Sequence, residues 1–290
     1  MSQVKYDREM FIFGEPVYVD GIGNFRFLTY KEYLTEIQSL LAIKMNTLHV
    51  YYLYRNQLDE NDTQAMSELE ELKKMKLFEI VTTQKMLLDE YVKILSIVLD
   101  ENSKRNTWSD SLKESVNKDI EEARENAYVK DMEFTEPTTD EYNYLLLMKA
   151  LGLIFNDEEL FEEVRKLVMD MQVLVEEEVS EDKVVQSFIE KSRRVQQKNS
   201  QPQSTSDLAS SIVVGSNYKY EELAKMTILQ IYSTYYRIAA MKSYDTSTLF
   251  ATVSGDVQID QWNRSIDLFE KQSVGIAASE FNKSFGRLFK

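Results

Sequence analysis

Near the N-terminus apolar residues fall at every second position, as Phe11 and Phe13, Val17 and Val19, then Phe25 and Phe27. Gly14-Glu15-Pro16 and Asp20-Gly21-Ile22-Gly23 separate these runs. Alternation bounded by turn residues marks short strands, so a small antiparallel β meander of three strands is expected over residues 1–28. A sheet of this size needs a helical layer on which to bury its phenylalanines.

From Thr29 the period lengthens. Thr29 and Glu32 have the spacing of a capping box, after which Leu34, Ile37, Leu41 and Leu48 carry a helical stripe towards Tyr51, Tyr52 and Tyr54. Further helices are expected over Thr63 to Lys74 and Thr83 to Leu99. Two more capping boxes, Ser111 with Glu114 and Thr138 with Glu141, open helices placed at Leu112 to Lys130 and Thr139 to Phe155. Asn156 then caps a helix whose apolar positions, Leu160, Val164, Leu167, Met171 and Leu174, recur at alternating steps of four and three.

Residues 198–211, KNSQPQSTSDLASS, are polar and contain a proline, the composition of a linker or loop. Beyond Ile212 to Val214, a helix over Tyr218 to Ser243 has apolar residues around most of its circumference, so it is expected to be central and covered. Two short elements follow, one with Trp262, Ile266 and Phe269 on a face and one with Phe281, Phe285 and Phe289, with turns at Gly255 and Gly275. The fold class that results is mainly α, a helical bundle with a small N-terminal antiparallel β meander. Its expected organisation is 1–28, the meander packed on helices; 29–197, a helical domain; 198–211, the polar linker; and 212–290, a C-terminal helical block.

Composition narrows the chemistry. The 290 residues include no cysteine and one histidine, which leaves no disulfide framework, thiolate site or His-rich metal site. A formal charge of −15 argues against a general polyanion binder, and no apolar run reaches the length of a membrane span, so neither nucleic acid nor membrane is expected as a partner. The charge is uneven. Between Asn156 and Asp182 eleven acidic residues face Arg165 and Lys166, a net of −9, and Lys183 to Lys198 then reverses to +4. The basic run Lys191, Arg193, Arg194 and Lys198 suits a helix C-terminus, and its pairing with the acidic stretch in cis or between subunits leaves homo-oligomers open.

His49 is the one candidate for a neutral-pH base, and it lies among Leu48, Val50, Tyr51 and Tyr52 as a structural histidine would. No GxSxG presents a serine to it. Gly21-Ile22-Gly23 lacks the third glycine of a dinucleotide fingerprint and suits a hairpin turn. Glu158, Glu159, Glu162 and Glu163, like Glu176 to Glu178, lie opposite the apolar stripe and read as a solvated face, not a two-metal site. No catalytic, cofactor-binding or metal residue is therefore assigned, and the chain is expected not to be an enzyme. What remains is adaptable contact surface, 12 Met, 17 Tyr and 14 Phe, densest at Tyr232, Tyr235, Tyr236, Met241 and Tyr244. With Trp262 these are the candidate partner-binding residues.

Two stretches carry a resemblance. FGEPVYVDGIGNFRFLTYKEYL at the start and YYRIAAMKSYDTSTLFATVSGDVQIDQWNRSIDLFE near the end are similar to tail-module proteins of phages infecting Gram-positive bacteria, described as tail assembly chaperones. The resemblance does not extend to residues 101–201, and many such chaperones are shorter. It implies a non-virion factor, working in the cytoplasm of the infected host, that binds the hydrophobic helices of the tape-measure protein until tube subunits polymerise around it. Two other classes fit an acidic, non-enzymatic binder: a phage-encoded inhibitor or trigger of a host defence system, and a structural tail component.

Overall fold

The computed structural model describes residues 4–55, 58, 63–99, 108–130, 132–176, 178–199, 205–254 and 259–269. A 3-10 helix, Arg8–Phe13, precedes strands β1 (Val17–Val19) and β2 (Gly23–Phe25). Helices α1 (Tyr30–Thr35), α2 (Ile37–Lys44), α3 (Thr47–Arg55), α4 (Thr63–Leu72), α5 (Leu77–Thr83) and α6 (Lys85–Val98) follow. Next come α7 (Asp110–Val129), α8 (Thr139–Asn156), α9 (Glu158–Met171) and α10 (Lys183–Asn199). The last are α11 (Thr205–Gly215), α12 (Tyr220–Leu223) and α13 (Ile228–Ala251). The fold is mainly α with a small antiparallel sheet near its N-terminus.

The chain forms two compact units. The first comprises Met1–Ile43, Lys76–Leu174 and Lys219–Tyr236, and the second Lys44–Met75, Val175–Tyr218 and Arg237–Lys290.

In the first unit β1 and β2 pair in the register Val17↔Phe25, Tyr18↔Asn24 and Val19↔Gly23. The turn between them contains Gly21 at φ 79°, the left-handed conformation that glycine adopts without strain. Val19 and Phe25 are fully buried while Tyr18 points outwards, as the alternation requires. The sheet has two strands, not three. Phe11 and Phe13 belong to the 3-10 helix, because the Asp7 carboxylate accepts the Glu9 N–H at its start and Gly14, at φ 65°, donates to the Phe11 carbonyl at its end. Phe11 is buried and Phe13 exposed.

Several caps lie where the sequence puts them. Thr29 Oγ1 accepts the Glu32 N–H at 3.3 Å and the Glu32 carboxylate accepts the Thr29 N–H at 2.8 Å. Thr138 and Glu141 repeat the box at the start of α8. Elsewhere the cap moves by one or two residues. α7 is capped by Ser109, not Ser111, since the Ser109 N–H donates to the Ile22 carbonyl at 2.9 Å and fixes this serine at the chain's entry point. α9 is capped by Asp157, while the Asn156 amide donates to the Gly152 carbonyl of α8. The helix expected over 83–99 is α6 alone, separated from α5 by an extended Gln84. The helix expected from Tyr218 is interrupted, because Thr227 bridges to Thr29 and the Tyr30 N–H donates to the Met226 carbonyl at 2.7 Å.

The core of the first unit centres on α9. Leu160, Val164, Leu167, Met171 and Leu174 are all buried. Phe161 adds a second buried row, with Tyr91 stacked on it and Phe78 edge-on, each with ring centroids 5.4 Å away. Burial therefore wraps further round α9 than its apolar stripe and encloses two charges, Arg165 and Asp170. Arg165 Nε donates to the Ile43 carbonyl at 3.0 Å. Glu158 and Glu159 are exposed, and Glu162 and Glu163 half-buried.

In the second unit the buried Tyr51 donates to Glu70 at 2.8 Å, and the Lys73 ammonium lies 4.6 Å from the centre of its ring. Residues 205–211, read from composition as linker, are the first turns of α11. Gly215, at the end of α11, meets α13 closely, since a Cβ there would lie 2.6 Å from Ile238 Cγ2.

Candidate functional site

The aromatic stretch of α13 starts from a fixed end. Thr227 N–H donates to Gln230 Oε1 at 2.9 Å, Gln230 N–H returns to Thr227 Oγ1 at 3.2 Å, and Gln230 Nε2 donates to the Ile12 carbonyl at 2.9 Å. One glutamine thus closes the first turn and ties it to the 3-10 helix. Ile228, Leu229 and Ile231 are the buried residues of α13. The expectation of a covered central helix holds for that first turn; from Tyr232 to Ile238 the residues are half-buried except Tyr236, and from Met241 onward most are exposed.

Tyr232 lies with Tyr30 and Tyr33 of α1. Burial, then the neighbouring Tyr232, pushes the Tyr30 hydroxyl up to about 12, and burial raises those of Tyr33 and Tyr232 also. These hydroxyls share a poorly hydrated environment in which the charged form is disfavoured. Tyr236 stacks edge-on against Tyr235, with ring centroids 5.4 Å apart, and is 45% exposed. The three tyrosines are therefore one group, Tyr232 anchored and Tyr236 facing outwards.

Within the second unit, Met241 is exposed and Tyr244 half-buried, and Leu249 and Phe250 extend the open apolar surface at 69% and 58% exposure. Trp262 is partly exposed but is not on a helix, since residues 259–269 contain none. Its carbonyl accepts Arg237 Nη1 at 2.7 Å, which ties this segment to α13. Phe281, Phe285, Phe289 and the turns at Gly255 and Gly275 lie outside the described residues.

The other candidates are accounted for locally. His49 accepts the Asn46 N–H through Nδ1 at 3.4 Å, and its own N–H donates to Asn46 Oδ1 at 3.0 Å, at the start of α3. Among the described residues no group of three or more His, Cys, Asp or Glu is placed to hold a metal ion. A cleft of about 610 Å³ runs along residues 5–20, and two of its carboxylates, Asp7 and Asp20, accept the Glu9 and Gly21 amides. No helix among the described residues is long and apolar enough to cross a membrane.

One surface was not singled out from sequence. On α8, Leu146, Ala150, Leu151 and Ile154 are buried, and on another side Tyr144, Leu145 and Met148 are exposed. The run Leu145-Leu146-Leu147-Met148 covers all azimuths of the helix, a pattern that normally means complete burial.

The N-terminal domain family of YomV matches residues 6–128, and the YomV second-domain family matches residues 196–267. No solved structure matches this chain. The SPbeta prophage-derived uncharacterized protein YomV of Bacillus subtilis (strain 168) is 27% identical over 282 residues, 97% of this chain and 98% of that protein. By these matches the chain is similar over nearly its whole length to a prophage-derived protein with YomV domains, which supports a phage origin in a Gram-positive host.

Proposed function

We propose that this chain is a non-enzymatic phage protein that binds a helical partner during tail morphogenesis, in the manner of a tail assembly chaperone, with the tape-measure protein as its partner in the host cytoplasm. The observation that carries this reading is α13. After Ile231 none of its residues is buried, yet it continues to Ala251 through Tyr235, Tyr236, Ile238, Met241, Tyr244, Leu249 and Phe250. Helices owe most of their stability in water to packing of an apolar face, so a helix whose Tyr236, Met241, Leu249 and Phe250 stand exposed gains by acquiring a cover for them. Tyr and Met suit that task, since Tyr supplies rigid contact area with a polar tip and Met repacks around differing partners. The phage origin supports the setting.

Co-expression with a tape-measure gene from the same phage tests the reading. The client is expected to be recovered soluble and in complex with the wild-type chain. With Tyr235→Ala and Tyr236→Ala combined, the chain should remain folded while the complex is lost. Loss of folding in that variant would return the tyrosines to a core role.

A further inference from the structure

α8 has two apolar sides and the first unit covers one of them. Tyr144, Met148, Gly152 and Phe155 follow one another at steps of four, four and three, so they lie along a single stripe, whose last member, Phe155, is half-buried with its ring 6.1 Å from that of Phe161. Tyr144 is 61% exposed and Met148 48%, and Leu145 stands exposed beside them. Gly152 is the second peculiarity. A glycine inside a helix is less stable than alanine, and here a Cβ would meet nothing within 4 Å among the described residues, so no close neighbour among them requires its absence. Gly152 leaves a notch in an apolar stripe, a place where a bulky side chain from outside can approach the helix backbone.

The charges around the stripe say what kind of partner fits. Asp140 and Glu141 stand exposed in the first turn of α8, and Asp157, Glu158 and Glu159 stand exposed at its junction with α9, where Glu158 also pairs with Lys76. α7, packed alongside, has six acidic residues against Lys113, Lys118 and Arg124. The one cation of α8, Lys149, pairs with Asp119 of α7 at 2.7 Å. A second copy of this chain would bring acidic ends against acidic ends in either orientation, which is unfavourable.

We infer that the outer face of α8 is a docking site for an amphipathic helix that lays an apolar stripe on Tyr144 and Met148, inserts a bulky side chain at Gly152, and carries basic residues towards both ends. Recognition is of the helix-in-groove kind, with apolar contact supplying affinity and the flanking charges setting the partner's sign and speeding encounter. The inference rests on reading the chain as a binder of helical partners, not on a role in tails.

The probe is a fluorescent peptide of about 18 residues, five helical turns, built from leucine and lysine at amphipathic spacing with a central phenylalanine. Its counterpart has glutamate for every lysine. The lysine peptide should bind the full chain and the glutamate peptide should not. Tyr144→Ser with Met148→Ser should weaken binding about ten-fold. Gly152→Leu fills the notch and should weaken binding similarly while leaving the thermal midpoint unchanged or higher, a combination that misfolding would not give. Val214→Ser, at an exposed site on α11, should bind as wild type. Equal affinity of the α8 variants and wild type overturns the inference, as does failure of the lysine peptide to bind. Self-association abolished by the α8 variants overturns it in favour of a second copy. Binding lost in Tyr235→Ala with Tyr236→Ala but retained in the α8 variants overturns the α8 site and leaves the partner-binding reading intact.

Discussion

Arg8 grips Asp170 with both prongs of its guanidinium, Nη2 to Oδ1 at 2.6 Å and Nε to Oδ2 at 3.0 Å. Tyr6 donates to the same Oδ2 at 2.5 Å. The carboxylate is 8% exposed and the arginine 45%, so the acid depends on this fork more than the base does. The contact joins residues 162 apart in sequence and holds the N-terminal segment on α9.

Arg8→Ala is therefore expected to cost about 2 kcal/mol in denaturant unfolding, mostly by leaving a buried carboxylate under-satisfied. Tyr6→Phe should cost about 1 kcal/mol. The double variant should depart from additivity, because both donors serve one acceptor. Additive, near-zero effects would show that the segment is held by something else.

Gln172 presents the opposite case. It is fully buried at the end of α9, and neither amide atom of its side chain has a hydrogen-bond partner among the described residues. An unpaired buried amide costs desolvation without return, so Gln172→Met, which roughly preserves shape, should stabilise the chain by about 1 kcal/mol. A loss of stability would show that the amide has a partner worth keeping.

Gly215 is fixed by proximity. With a Cβ placed 2.6 Å from Ile238 Cγ2, Gly215→Ala forces the Ile238 side chain or the backbone beside it to shift, at a cost of about 2 kcal/mol. Thermal unfolding should show the loss, and Gly215→Ala combined with Ile238→Val should not restore it, since valine keeps a γ-methyl on the same carbon. Restoration by Ile238→Ala would confirm the contact.

Two groups make stability depend on pH at opposite ends. Burial pushes the Glu32 carboxyl up, but hydrogen bonds from Arg26 and Thr29 outweigh it and hold it below the ordinary carboxylate value. Its contribution is present above that ordinary value, about 4.3, and is lost as pH falls through the depressed one. Glu32→Gln should be less stable at neutral pH, with the difference from wild type closing in acid. Tyr51 is pushed up to about 12, by burial first and then by its bond to Glu70. Its contribution is present below the ordinary tyrosine value of about 10 and is lost as pH rises through the raised one. Tyrosinate absorbance should therefore report a group that ionises late in wild type and is missing in Tyr51→Phe.

How far the fold could be read from sequence depended on how local the deciding interaction is. The boxes at Thr29 and Thr138 need only the residue three positions on, and both form. Ser109 and Ser111 offer the same hydroxyl, and the choice between them follows from an Ile22 carbonyl that no local pattern reveals. Phe11 and Phe13 alternate as a strand would, yet Asp7 and Gly14 close that segment into a helical turn. Asp170 is one of the eleven acids between Asn156 and Asp182, and nothing near it in sequence reveals the Arg8 fork, 162 residues away, that covers it. On the candidate surfaces, sequence located Tyr236 and Met241 but could not separate them from the anchored Tyr232. It did not single out α8, because the run Leu145 to Met148, apolar on every side of the helix, reads as core whether or not a neighbour exists to bury it.

The central claim is that this chain binds a helical partner through surfaces it leaves uncovered. Co-expression with a tape-measure gene of the same phage, followed by fractionation of soluble protein, tests it most directly. The claim predicts that the client is soluble and co-purifies with this chain, and that Tyr235→Ala with Tyr236→Ala folds but releases it. A client equally soluble with and without this chain, and no complex recovered, would contradict it.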